Sequence, residues 1–304
     1  MAVIFEMESP FRTPYQLHRL EFGTKEGPTI AFVAGLHGNE LNGIHALNML
    51  ISLLRMQRIR GRVLIFPLIN TFGADECTKR FPFDSHDINS VFPGDPQGYP
   101  AQRIAAALYE ATAEADVCID VHSGAAHVRE LPQVRTPISG LALEYARAMK
   151  LPVVWKREGS YLSQKGIVSS WRKRGQVALH VIGGRGVTLD NSLCSMMASG
   201  FSSLLAYLKI TMGSLDIKNT VEVTGQDIEV HRAACGGFFV PEVRVGEKVQ
   251  AGRLLGYLQS PIGGERIYEI RAQKVGVVMT LRANPLVHAQ ELLVRIAMVS
   301  SQQM

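Results

Sequence analysis

The sequence predicts an α/β protein: a mixed sheet flanked by helices, followed by a smaller C-terminal all-β part. Three observations predict it. Apolar runs of strand length alternate with helical periodicity as far as Leu208, glycine-punctuated alternating segments take over beyond it, and a chain of 304 residues can bury both units.

Thr29–Ala34 (TIAFVA) is a continuous apolar run, and Leu41–Leu54 then sets Leu41, Ile44, Leu47 and Leu54 on one helical face. Residues 35–40 therefore form a strand-to-helix loop. Further strands are expected at 63–67, 117–121, 152–155 and 177–182, with helices at 102–115 and 141–149. Such a succession covers both faces of a sheet. From TVEVTG onward the segments shorten and alternate, so the expected units are 1–212 and 213–304. Within the second, VQAGRLL from Val249 is echoed by VHAQELL from Val287, which suggests two similar half-barrels.

Hydrophobic residues at 46% and charged residues at 19% exclude extensive disorder. The net charge is +5, yet no run of five basic residues occurs, which argues against a nucleic-acid partner and leaves an anionic small molecule. The stretch 156–174 is locally basic and reads as a solvated face that attracts such a substrate. Cys77, Cys118, Cys194 and Cys235 form no C-x-x-C pair, so reduced thiols are expected. Glu and Pro interrupt the N-terminal segment and no stretch reaches membrane-span length; a cytoplasmic protein, free of membranes and compatible with a homo-oligomer, is the expectation.

The chemistry concentrates at strand ends. A catalytic zinc ion needs three protein ligands and one open position, and in sheet enzymes these gather where strands finish. His37 and Glu40, three apart in Gly-Leu-His-Gly-Asn-Glu, follow the first strong strand, and Gly35 and Gly38 permit a tight turn there. His122 follows another buried strand in an equivalent position. Each alone also reads as a solvated loop pair or a hydrogen-bonded strand-end histidine; their coincidence at matching strand ends is what predicts one metal site. Asp120 reads either as a carboxylate supporting His122 or as a strand-end cap.

These residues, with Pro67-Leu-Ile-Asn70, Arg80, Asp87-Ile-Asn89 and Phe92-Pro-Gly94, resemble the succinylglutamate desuccinylase/aspartoacylase family of zinc hydrolases over nearly the whole chain. The resemblance implies a zinc-carboxypeptidase-like mixed sheet with a C-terminal barrel-sandwich-like β-domain crowding the site. It also implies one Zn2+ per chain, a small N-acylated substrate and hydrolysis of its amide bond. Arg80 matches the arginine that stabilises the oxyanion, and Asn89 remains as a neutral substrate-binding group. Two departures stand out. Ser90 takes the place of an arginine that would clamp a substrate carboxylate, and Ile182 takes the place of the catalytic glutamate. His180, two residues away on the same strand face, then offers a general base, or else is a core histidine. The competing expectation is a zinc-binding pseudoenzyme, or an enzyme of altered specificity. The segment Leu-Pro-Gln-Val-Arg135 resembles a loop after the third ligand, with His127, Arg129 and Glu130 as further pocket candidates. In the C-terminal part, the glycine spacing resembles that of biotinyl or lipoyl carriers, but residues 259–265 contain no lysine, which excludes a swinging arm.

Overall fold

The computed structural model describes residues 1–158, 165–212 and 220–299. The strands of its first part are β1 (Ala2–Met7), β2 (Tyr15–Gly23), β3 (Thr29–Ala34), β4 (Arg62–Phe66), β5 (Val117–Gly124), β6 (Val128–Pro137), β7 (Val153–Arg157) and β8 (Val177–Arg185). The helices are α1 (Leu41–Leu54), α2 (Thr71–Asp75), α3 (Pro100–Ala111), α4 (Leu141–Ala148), α5 (Ile167–Lys173) and α6 (Asn191–Tyr207). Strands β4, β3, β5 and β8 lie side by side and parallel, and β6 joins β8 antiparallel.

All residues of β3 are buried because helices cover both faces. Ile30, Phe32 and Ala34 pack with Leu47 and Leu50 of α1, Ala146 of α4 and Phe201 of α6. Ala31 and Val33, one position out of phase, pack with Ile104 and Leu108 of α3 and Trp171 of α5. The two-residue strand period thus sorts side chains into two separate cores. Helix α6 buries small residues such as Cys194, Ala198 and Gly200 along with Phe201 and Leu205, so it carries no narrow apolar stripe for a sequence pattern to reveal.

The expected loop at 131–135 is a correction: it lies inside β6, hydrogen-bonded to β8 on one side and to β7 on the other. Pro132 disguises it, standing where the register with β8 shifts between Glu130 and Gln133, so the missing N–H costs no regular ladder bond.

Beyond residue 220 come β9 (Val221–Val223), β10 (Ile228–Arg232), β11 (Gly237–Pro241), β12 (Lys248–Val249), β13 (Leu254–Gln259), β14 (Arg266–Arg271), β15 (Gly276–Arg282), β16 (Leu286–Val287) and β17 (Leu292–Met298). Four of them form a second, antiparallel sheet in the order β14-β13-β11-β16. The rest extend the large sheet to 13 strands, because β15 pairs with β6 through Thr280 opposite Glu130. Phe239, Leu255, Ile270, Val278 and Ile296 fill the space between the two sheets.

The internal repeat has a structural counterpart. Each copy is a two-residue strand, a turn and a longer strand; β12 lies in the large sheet and β13 in the small one, whereas β16 and β17 exchange those places. The expected boundary at 212 adjoins 213–219, which lie outside the described residues. No described helix is long and apolar enough to cross a membrane.

Candidate active site

His37 sits just past the carboxyl end of β3, and Glu40 is the residue before α1. Gly35, at φ +67°, makes the turn; a side chain at Gly38 would meet the backbone of Gly73 at 2.0 Å, so the loop can lie against α2 only with glycine there. His122 belongs to the neighbouring strand β5, whose Ala34–Val121 pairing brings the two strand ends together. The rings of His37 and His122 are 5.0 Å apart.

Both carboxylate oxygens of Glu40 face a ring nitrogen, Oε1 lying 2.8 Å from His37 Nδ1 and Oε2 2.7 Å from His122 Nδ1. The Ser123 N–H also donates to Oε2, at 3.1 Å. Behind this centre each histidine meets a second carboxylate: His37 Nε2 lies 2.9 Å from Asp87 Oδ1, and His122 Nε2 2.9 Å from Asp120 Oδ2. Of the two roles open to Asp120, the geometry selects support of His122.

The electrostatics follow from this alternation. Burial disfavours charge on both histidines, but the flanking carboxylates outweigh it and raise both pKa values, that of His122 strongly. Burial opposes charge on Glu40 and Asp87 too; the histidines, joined at Asp87 by Lys79, prevail and hold both below the ordinary carboxylate range. Donor atoms of His37, Glu40 and His122 lie within 4.8 Å of one another, and the set of two imidazoles and one carboxylate suits a divalent transition ion. Carboxylates on the far nitrogens would fix both rings for such an ion. Asp120, His122 and His180 also cluster within 4.8 Å. In that second group Asp120 is already engaged as the partner of His122.

The β8 side differs. In the β5–β8 register Ile182 stands beside His122 and His180 beside Asp120, so His180 and Ile182 share the face of the metal-site residues. The His180 ring meets His122 edge-on at 4.9 Å. Its Nε2 is buried without a hydrogen-bond partner among the described residues, and burial, then the charges of His122 and Arg135, hold its pKa well below the ordinary value. A neutral imidazole with an uncommitted nitrogen results. It lines a cavity of about 90 Å³ together with Asn89, Asp120, Lys165 and Ser169. A larger cavity of about 500 Å³ lies at Trp155, Arg157 and Thr224, and neither cavity is lined by His37, Glu40 or His122.

The other expected residues are distributed unevenly. Asn89 reaches the cavity, its Oδ1 accepting the Ile167 N–H at 3.0 Å. Ser90 is exposed and donates to the Asp87 carbonyl at 2.7 Å. Arg80 is exposed on the loop after α2, its Nη1 donating to the Ser85 carbonyl at 2.9 Å. Its neighbour Lys79 is the cation that meets the site, 2.9 Å from Asp87 Oδ2. Glu130 is buried on β6 and accepts from Gln133 and from Thr280 of the C-terminal strands. Sequence reasoning quoted Asp87 within a motif without giving it a partner; the signal available was an acid one position before a turn that also carries Asn89.

A family model, Succinylglutamate desuccinylase/Aspartoacylase catalytic domain, matches residues 26–207. The N-alpha-acetyl-L-2,4-diaminobutyric acid deacetylase of Halomonas elongata is 26% identical over 275 residues, which covers 84% of this chain and 78% of that protein. The crystal structure of a succinylglutamate desuccinylase/aspartoacylase from Rhodobacter sphaeroides superimposes with a TM-score of 0.80 at 21% identity, over 97% of this chain and 94% of that one. The product-bound ectoine utilization protein EutE (DoeB) of Ruegeria pomeroyi gives a TM-score of 0.79 at 21% identity, over 94% and 90%. At these identities the two structures speak for the fold.

Proposed function

The chain belongs to the succinylglutamate desuccinylase/aspartoacylase family, and we propose that within it this protein is a zinc-dependent hydrolase cleaving the amide bond of a small N-acyl amino acid. We read the sheet as carboxypeptidase-like, with His37, Glu40 and His122 as ligands of one zinc ion. Zinc held there would supply Lewis acidity, polarising the scissile carbonyl and acidifying water. The observation that carries the reading is the neutral, unpartnered Nε2 of His180, facing a polar cavity beside His122 where Ile182 cannot move a proton.

In this reading His180 Nε2 takes a proton from the attacking water and returns it to the leaving nitrogen. The buried ring is kept unprotonated before the reaction, as a base must be. In this reading Arg80 would leave the Ser85 carbonyl to bring positive charge to the developing oxyanion, and Asn89 and Ser90 would offer neutral hydrogen bonds to the substrate. The name of the Halomonas relative makes N-acetyl amino acids the first substrates to assay.

The test compares zinc-loaded wild type with His180→Ala. Removing a general base lowers kcat about 10²- to 10⁴-fold, with zinc content unchanged. Equal turnover in the variant would remove His180 from the chemistry. No turnover by zinc-loaded wild type on any N-acyl amino acid would leave a zinc-binding protein that does not hydrolyse amides.

A further inference from the structure

The register between β5 and β8 shifts between His122 and Gly124, so regular pairing stops fixing β8 against β5 just past the candidate ligand. The turn that follows β8 begins there. Within it Val187 has φ +56°, a left-handed conformation that costs a β-branched residue free energy and persists only where the surroundings hold it. Its side chain is 42% exposed, so packing alone does not hold it.

Hydrogen bonds to the start of α1 hold it instead. The Val187 N–H donates to the Asn39 carbonyl at 2.7 Å, inside the loop that carries His37 and Glu40. Asn42, fully buried and two residues after Glu40, completes the hold. Its Nδ2 donates to the carbonyls of Arg185 and Thr188 at 2.7 and 2.9 Å, and its Oδ1 accepts the Asp190 N–H at 2.8 Å. The fit needs Gly184, at φ +76°, where a side chain would stand 2.6 Å from the Asn42 carboxamide. The backbone N–H of Asn42 donates to Ser123 Oγ at 3.2 Å, and the Ser123 N–H in turn donates to Glu40 Oε2 at 3.1 Å. One residue therefore joins three elements: the turn continuous with the strand of His180, the helix start beside Glu40, and the strand end that carries His122. Asn42 does not line the His180 cavity, so it acts on the site through other residues.

We propose that Asn42 is a positioning residue for both halves of the site: it clasps the turn after β8 to the start of α1 and to the end of β5, and so fixes Glu40 and His122 relative to His180. Its effect on turnover rests on the zinc-hydrolase reading, but the clasp itself is measurable in the metal-free chain. The carboxamide suits the task because it donates and accepts at once without bringing charge into the buried junction. Loss of the clasp frees the turn, leaves the carbonyls of Arg185 and Thr188 unmatched, and loosens the Ser123 contact to Glu40.

The experiment compares wild type with Asn42→Ala as full chains. In the metal-free proteins, amide exchange followed by NMR should speed up about tenfold or more at both Val187 and Ser123, with β1 and β2 unchanged. Neither amide bonds the Asn42 side chain, so a joint change reports transmission through the clasp. In the zinc-loaded proteins, zinc affinity should fall about 10- to 100-fold in chelator competition. Turnover of an N-acetyl amino acid should lose about tenfold to a hundredfold in kcat at unchanged KM, since Asn42 displaces the chemistry and touches no substrate. Ser123→Ala removes one end of the clasp, keeps the Ser123 N–H for Glu40, and should show the same pattern at about threefold to tenfold. It decides the matter if Asn42→Ala does not fold. A wild type that binds no zinc or hydrolyses nothing, with Val187 and Ser123 still loosened together in the variant, would sustain the clasp and end the hydrolase reading. Faster exchange confined to the turn, with Ser123 still protected, would overturn the proposal. So would a lower Tm with zinc affinity and kcat unchanged.

Discussion

The two sides of the site are finished to different degrees. Where β3 and β5 end, the groups around the centre engage one another: Glu40 lies between two histidines, and each histidine is backed by Asp87 or Asp120, although Asp120 Oδ1 has no hydrogen-bond partner among the described residues. Along β8 and α5 polar groups are left open, with His180 Nε2 and Ser169 Oγ unpartnered among the described residues and an isoleucine beside the candidate ligand His122. Holding a metal and moving a proton are separable tasks with separate residues. The first side is self-complementary, whereas the second is complementary to something that comes from outside.

The largest way to break this contrast is at Glu40. In Glu40→Ala both Nδ1 atoms lose their partner, so zinc content should fall to near zero and turnover with it. The metal-free variant should also lose about 3 kcal/mol of stability, since a buried charge pair is cut on one side only. Zinc analysis and urea unfolding measure the two effects, and a stable, zinc-replete variant would contradict the ligand assignment.

A reciprocal change sharpens the other side. If Ile182 marks the place of a lost carboxylate, Ile182→Glu placed into His180→Ala should recover part of the 10²- to 10⁴-fold loss expected of the single variant. The register that sets Ile182 beside His122 makes this a positional claim. No recovery in a folded, zinc-loaded double variant would show that the position is not equivalent to the family's glutamate.

Asp87→Asn should act more gently. The carboxamide can still orient His37 but does not support its charge, and loss of a carboxylate behind a ligating histidine weakens metal affinity about 10- to 100-fold. Competition against a chelator reads this directly; undiminished affinity would make Asp87 a loop cap only.

Proton linkage is the smallest expected effect. In the metal-free chain His37 and His122 have raised pKa values, so they retain protons to higher pH than free imidazole does. Ion binding must displace those protons, hence zinc affinity should fall as pH falls through the raised values. Calorimetry in two buffers of different ionisation enthalpy should show net proton release. Its absence would mean that the rings are already neutral before zinc arrives.

The contrast also explains what was legible in the sequence. His37, Glu40 and His122 follow uniformly buried strands, and a continuous apolar run that stops at a glycine-bounded histidine is a local signal. Strands β3 and β5 were readable for the same reason. Asp87 is not local: it meets His37 across 50 residues, through a loop whose path no periodicity encodes. Asn89 likewise reaches the Ile167 N–H across 78 residues, a contact that no local pattern encodes. Basic character in 156–174 was visible, but not which lysine faces the cavity. Strand β6 was hidden by Pro132, since a proline inside a half-apolar segment normally signals a turn.

The central claim is that the finished side of the site holds zinc. Mass-spectrometric metal analysis of wild type and His37→Ala, both produced in zinc-supplemented medium, tests it most directly. Near-stoichiometric zinc in the wild type and its loss from the variant is the predicted result; a metal-free wild type, or a variant that keeps its zinc, would contradict it.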